Sequence, residues 1–175
     1  MQIYLIRHPR PLIEPGICYG RLDVAIAEDL APVVARLRAV LPAGIPVFSS
    51  PLRRARELAE ALHPAPCFDT RLQEIDFGDW EGRPWDKIER AALDAWAADV
   101  LNFTPPGGES PRQLRARALE FVADLGNQSA ALVTHAGVIR SLLGHWHGLT
   151  LAEWTTIKLE LDRKSTRLNS SHGII

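Results

Sequence analysis

Two histidines and a group of arginines follow short apolar runs in this chain, and those junctions are where its chemistry is expected. Arg7-His8 comes directly after Ile3-Tyr4-Leu5-Ile6. Ser49-Ser50-Pro51-Leu52-Arg53-Arg54 comes after Pro46–Phe48, and Thr134-His135-Ala136-Gly137 after Ala130–Val133. Guanidinium groups grip phosphate oxygens in pairs, and a helix start adds backbone N–H donors. Imidazole can attack phosphorus or help bind the group transferred. Arg53 and Arg54 fall in the first turn of a helix, where a cation opposes the helix dipole, so helix stability does not account for them. Spacing does not choose between the two. Each feature alone has an ordinary reading, since a single His is usually a surface or structural residue and an Arg pair a solvated helix face. The joint placement carries the assignment, and phosphate is the guest that fits it.

Phosphoryl transfer also creates a leaving oxygen that needs a proton, which a positioned carboxyl can give. The segment from Leu72 to Gly82 contains Glu74, Asp76, Asp79 and Glu81 among apolar residues and glycines. Nothing local ranks Glu74 above Asp76 or Asp79.

These groups need elements to hold them. The three apolar runs read as buried strands, and Pro9 ends the first because proline cannot donate to a central ladder. Leu30, Val33, Val34, Leu37 and Leu41 predict a helix near 28–41. Ser50 is expected to cap a helix beginning at Pro51, with Leu52, Ala55, Ala59 and Leu62 on one face. Trp85, Ile88, Ala92 and Trp96 suggest a third helix, and Ser110 with Gln113 has capping-box spacing ahead of a fourth. Val138, Ile139, Leu142, Leu143 and Trp146 mark a fifth, and Thr155–Leu161 alternates like a last half-exposed strand. Strands alternating with helices predict a three-layer α/β/α sandwich on a mostly parallel sheet. In such sheets ligands sit at the carboxyl ends of the strands, where Arg7, His8 and His135 are delivered.

With 175 residues and a 19.4 kDa mass, one domain is expected, assigned to residues 1–162. A net charge of −1 offers no global basic field for nucleic acid or an anionic membrane. Cys18 and Cys67 are far apart and supply neither a disulfide framework nor a zinc site. His145 and His147 at i, i+2 point to different helix faces. Trp80, Trp85 and Trp96 are expected in core and lid packing. No segment approaches a membrane span, and a cytoplasmic location is expected. Residues 163–175 turn polar, basic and aperiodic, with the character of a translated library adaptor, and are read as non-native or disordered. On that reading the native C-terminus is missing.

Five segments together resemble the histidine phosphatase (phosphoglycerate mutase-like) superfamily, in the family's order. They are Leu5-Ile6-Arg7-His8, Ser49–Ala55, Leu72–Gly78 with Trp80-Glu81-Gly82, Pro106–Ser110 and Val133–Gly137. Cys18-Tyr19-Gly20-Arg21-Leu22-Asp23-Val24 further resembles the α-ribazole phosphatase branch, which acts in cobalamin synthesis. The resemblance implies that His8 is the nucleophile and that Arg7, Arg54 and His135 clamp the phosphoryl group. It makes Glu74 the proton donor and later the base. Cys18, Tyr19, Gly20 and Ala136 would line the substrate or phosphate site. It implies no metal and no cofactor, and a small phosphorylated metabolite as the partner; the oligomeric state stays open between monomer and dimer. Pro9 departs from the family, which commonly has Gly there, and the usual Thr and Asn nearby are absent, with Arg10 or the Cys18–Gly20 loop as stand-ins.

The expected activity is therefore hydrolysis of phosphomonoesters through phosphohistidine, with α-ribazole 5′-phosphate the leading substrate. Rival readings are a phosphoglycerate mutase-type phosphotransfer, against which the short stretch between Glu74 and His135 argues, and a non-catalytic phospholigand-binding module. A metal-dependent hydrolase is a third, and it requires that chelators abolish activity.

Overall fold

The computed structural model describes residues 1–150 together with 153, 154, 157, 159 and 172–174. The apolar runs form β1 (Ile3–Arg7), β2 (Val47–Ser49) and β4 (Ala130–Thr134), joined by the short β3 (Cys67–Phe68) and β5 (His172–Ile174). The sheet order is β3-β2-β4-β1-β5, and every pairing is parallel. Among the described residues five named α-helices accompany it: α1 (Leu30–Val40), α2 (Arg53–Leu62), α3 (Arg90–Ala98), α4 (Pro111–Asp124) and α5 (Ala136–Trp146).

Successive side chains of a strand point to opposite faces, and here both faces are covered. Ile3 and Leu5 of β1, with Ala130 and Leu132 of β4, pack on Leu114, Ala118 and Phe121 of α4 and on Val138, Ile139 and Leu142 of α5. Ile6, Val47, Ala131 and Val133 pack on Val34 and Leu37 of α1 and on Ala55, Leu58 and Ala59 of α2. This is the three-layer sandwich predicted above. A third cluster lies apart from both and is built from loops and α3, where Cys18, Trp80 and Ile88 are buried among Phe77, Trp85, Leu93, Trp96 and Phe103. Its rings stack and interlock, with Trp85 and Trp96 inclined by only 12° at 5.7 Å.

Three expectations shift. α2 starts at Arg53 with Leu52 as its N-cap, because the Ser50 amide still donates to Val133 O at 3.0 Å and holds that residue in the sheet. The third helix divides into a 3-10 turn at Trp85–Lys87 and then α3. Ile88 lies between them in extended conformation, buried in the aromatic cluster. β5 lies within the stretch read as a tail, its backbone pairing with β1 so that Ile3 stands opposite His172. Ladder hydrogen bonds use main-chain groups, so a polar composition does not forbid them. The rest of 163–175 lies outside the described residues, as does most of Thr155–Leu161, of which Ile157 and Leu159 are described and are not in a strand. Among the described residues no helix is long and apolar enough to cross a membrane.

Candidate active site

The strand order β2-β4-β1 brings the three polar junctions side by side. Beyond the strands the ladder continues for one residue, His8 N donating to Thr134 O and Ser50 N to Val133 O, each at 3.0 Å. His8, Ser50 and His135 are thereby lined up at the carboxyl edge of the sheet, and all three are buried. The two imidazoles lie 5.0 Å apart between centroids, inclined by 57°.

The neighbours of His8 set its tautomer. Nδ1 lies 2.6 Å from Pro9 O, and a carbonyl can only accept, so Nδ1 carries the proton. Nε2 accepts from Arg54 Nε at 3.3 Å, and a guanidinium can only donate, so Nε2 keeps its lone pair. Burial, followed by the charge of Arg54, pushes the His8 pKa down to about 3. His8 is therefore a neutral imidazole whose Nε2 lone pair is aimed at a cation. Pro9, the departure from the family's usual Gly, acts here through its carbonyl, a group every residue has.

Arg54 is wholly buried at the start of α2. Nη1 donates to Leu22 O at 2.9 Å and Nη2 to Gly20 O at 2.5 Å, and the guanidinium lies 5.5 Å from the centre of the Tyr19 ring. Three of its five N–H groups are thus placed, leaving two for a ligand. Arg53 is exposed and pairs with Glu57, so the choice left open by spacing falls to Arg54. Arg7 donates from Nη1 to Leu159 O at 2.9 Å, while its Nε is buried and has no partner among the described residues. Burial pulls the pKa of both arginines down, with Tyr19 and Glu74 opposing it, and both remain cations.

His135 Nε2 lies 2.8 Å from Ser50 Oγ, while its Nδ1 is buried without a partner among the described residues. Burial first, then Arg54 and His8, hold its pKa well below the usual imidazole range. Glu74 sits at the N-terminus of α5, its Oε2 accepting from Gly137 N at 3.1 Å and its Oε1 from Ile75 N at 3.0 Å. A Cβ on Gly137 would come within 2.3 Å of Glu74 Oε1, so glycine is what admits the carboxylate there. Ala136 is the first residue of α5, next to His135.

The structure thus gathers Arg7, His8, Tyr19, Gly20, Arg54, Glu74, His135 and Ala136. Cys18 is the correction. Its side chain is fully buried with Trp80 and Ile88, and burial pushes the thiol up to about 12, so it packs the loop rather than touching a ligand. Ser50 was missed as the partner of His135. Its one signal was a position at a strand end, which also fits a helix cap. Glu81 was passed over too, yet it accepts from the amides of Arg21, Leu22 and Phe77 and so fixes the loop whose carbonyls face Arg54. Among the described residues no group of three or more His, Cys, Asp or Glu could hold a metal ion.

A half-buried and a fully buried arginine thus stand with two buried histidines and a carboxylate at one sheet edge, and the chain matches the family model of the histidine phosphatase superfamily (branch 1) over residues 3–172. The chain belongs to this superfamily. It is 29% identical to a glucosyl-3-phosphoglycerate phosphatase of Mycolicibacterium vanbaalenii, the match covering 89% of this chain and 78% of that protein. Its fold superposes on the crystal structure of a phosphoglycerate mutase from Thermus thermophilus with a TM-score of 0.69 and 36% identity, covering 82% of each chain. The native structure of mycobacterial glucosyl-3-phosphoglycerate phosphatase gives a TM-score of 0.74 at 28% identity, covering 88% of this chain and 82% of that one. The protein is a histidine phosphatase with a phosphoglycerate mutase-like fold.

Proposed function

We propose that this histidine phosphatase hydrolyses small phosphomonoesters in two steps through a phosphohistidine at His8. The observation that carries the reading is the His8 tautomer, with Nδ1–H given to Pro9 O and the Nε2 lone pair held beside Arg54. In the first step Nε2 attacks phosphorus and the ester P–O bond breaks. Glu74, as the carboxylic acid, protonates the departing oxygen. In the second, the Glu74 carboxylate takes a proton from water, the resulting hydroxide attacks phosphorus, and the P–N bond breaks to release orthophosphate and neutral His8. Splitting the displacement lowers each barrier, while Arg7, Arg54 and His135 stabilise the charge on the equatorial oxygens.

For the substrate we propose a soluble phosphorylated metabolite, with α-ribazole 5′-phosphate the leading candidate because of the segment Cys18–Val24. The fold constrains the phosphoryl group more than the remainder of the molecule, which loops read. A cytoplasmic location suits such a substrate. The test is phosphate release over a metabolite panel including α-ribazole 5′-phosphate and glucosyl-3-phosphoglycerate, paired with trapping of the phosphorylated enzyme by an alkaline denaturing quench. Wild type is expected to give an acid-labile, alkali-stable phosphoenzyme, and His8→Ala none. Unchanged turnover of an aryl phosphate by His8→Ala sinks the mechanism. The likeness to a Thermus phosphoglycerate mutase keeps a second reading in play, phosphotransfer within one molecule. Isomerisation of phosphoglycerate without phosphate release is the outcome that favours it.

A further inference from the structure

Arg117 of α4 uses all five of its N–H donors, three of them on the segment that carries Glu74. Nη1 donates to Arg71 O and Gln73 O, each at 2.7 Å, and Nη2 donates to Glu74 O at 3.0 Å. The remaining donors make a bidentate pair with Glu109, Nη2 to Oε1 at 2.5 Å and Nε to Oε2 at 3.0 Å. Glu109 Oε1 in turn accepts from the amide of Asp76 at 3.2 Å and meets Arg21 Nη2 at 3.3 Å. The chain is therefore gripped at carbonyls 71, 73 and 74 and at amide 76, on both sides of Glu74. Both side chains are largely buried, at 15% and 12% exposure, so the pair is sheltered from the screening that weakens surface ion pairs.

This segment has little regular structure of its own between the 3-10 turns at Thr70–Leu72 and Gly78–Trp80. Its three carbonyls converge on one planar fork, which a lysine ammonium cannot imitate. The Glu74 carboxylate meets α5 through one backbone bond, from Gly137 N, so its placement depends on where the main chain is held. A misplacement of about 1 Å from groups remote from the chemistry can cost on the order of a hundredfold in rate.

We propose that Arg117 and Glu109 are positioning residues that hold Glu74 in reach of the leaving oxygen. The inference rests on the reading of Glu74 as proton donor. Proton donation matters most when the leaving group is a poor one, so the test compares kcat/KM for glycerol phosphate with that for p-nitrophenyl phosphate. This parameter covers steps up to release of the first product and leaves out the later hydrolysis of phosphohistidine.

Arg117→Gln is expected to lower kcat/KM for the alkyl ester roughly 10- to 100-fold and for the aryl ester by less than about threefold. Glu74→Gln should show the same selectivity, and adding Arg117→Gln to it should bring little further loss on the alkyl ester. Equal losses on both esters by Arg117→Gln, beside a selective Glu74→Gln, overturn the positioning role and leave the proton donor intact. If Glu74→Gln itself is unselective, the proton-donor reading fails and the inference falls with it. Should Arg117→Gln not fold, the near-isosteric Glu109→Gln is put through the same comparison, with the same selectivity expected and equal losses counting against the proposal.

Discussion

At His8 a carbonyl and a guanidinium decide which imidazole nitrogen carries the proton, and the same surroundings decide that the ring carries only one. Burial and Arg54 hold its folded pKa at about 3, against an ordinary value near 6.5. The sign follows directly. Above about pH 6.5 the ring is neutral in both folded and unfolded chains. Between there and about 3 the unfolded chain binds a proton that the folded one refuses, so stability falls as pH drops. The slope is about 1.4 kcal/mol per pH unit for one such group, and His135 adds to it in the same direction. Urea midpoints at about pH 7.5 and about pH 5 should therefore drop further in wild type than in His8→Gln; equal drops would show that His8 is not held neutral. Ser50 offers a second test at this scale. Its hydroxyl meets both His135 Nε2 and the amide of Leu52, so Ser50→Ala leaves a buried imidazole nitrogen unpaired, at a cost of about 1–3 kcal/mol. Turnover should fall with it, as His135 loses its anchor. A Ser50→Ala enzyme of full stability and activity would remove Ser50 from the site.

At the level of elements, the site is an alignment of strand ends with two helix starts, and glycines set how closely these parts approach. Gly137→Ala separates function from stability. Alanine is favoured over glycine in a helix by about 1 kcal/mol, and the atom its Cβ meets, Glu74 Oε1, ends a side chain that can swing away. The variant should melt close to wild type yet lose most of its turnover of alkyl phosphates, measured by thermal scan and phosphate release. Gly20→Ala should behave differently, since its Cβ would fall 1.8 Å from Ile75 O, a main-chain atom that cannot step aside; there both stability and activity should drop. Much of this framework was legible in the sequence because apolar periodicity marks buried faces, and because each strand ends in residues of one chemical type. The legible part includes the layers, the central strands, the Ser110–Gln113 capping box and the delivery of His8 and His135 to one sheet edge, while Arg54 and Glu74 were singled out by the family resemblance alone. The start of α2 was misplaced because Ser50-Pro51 is good helix-start chemistry, overruled by a ladder bond to a strand distant in sequence. Ser50, Glu81 and Arg117 went unread for a related reason. Their partners are backbone atoms or side chains far along the chain, and local spacing carries no trace of such pairs. Cys18 was misassigned because a loop motif does not say which of its side chains turn inward.

For the molecule as a whole, the balance of charge is telling. The net charge is −1, yet one sheet edge concentrates Arg7 and Arg54 beside two imidazoles that burial, and then these cations, keep neutral. Arg7 Nε and His135 Nδ1 are buried without partners among the described residues, and two N–H groups of Arg54 remain unassigned. Unpaired buried polar groups and like charges both raise the energy of the folded state. A phosphate dianion would answer both at once, meeting groups from β1, α2 and the start of α5 and so tying the sheet to both of its helical layers. Orthophosphate, the proposed product, should accordingly stabilise the whole fold. At a hundred times its dissociation constant, binding to the folded state alone contributes about 2.7 kcal/mol. With about 2–4 °C per kcal/mol for a chain of this size, the melting temperature should rise by about 5–11 °C. A thermal series in orthophosphate, against chloride at matched ionic strength, measures it. In Arg54→Gln the rise should vanish, whatever the variant's own melting temperature, because the buried cation beside His8 is gone. A rise that survives in Arg54→Gln would place the anion elsewhere on the surface and detach the cationic edge from phosphate binding.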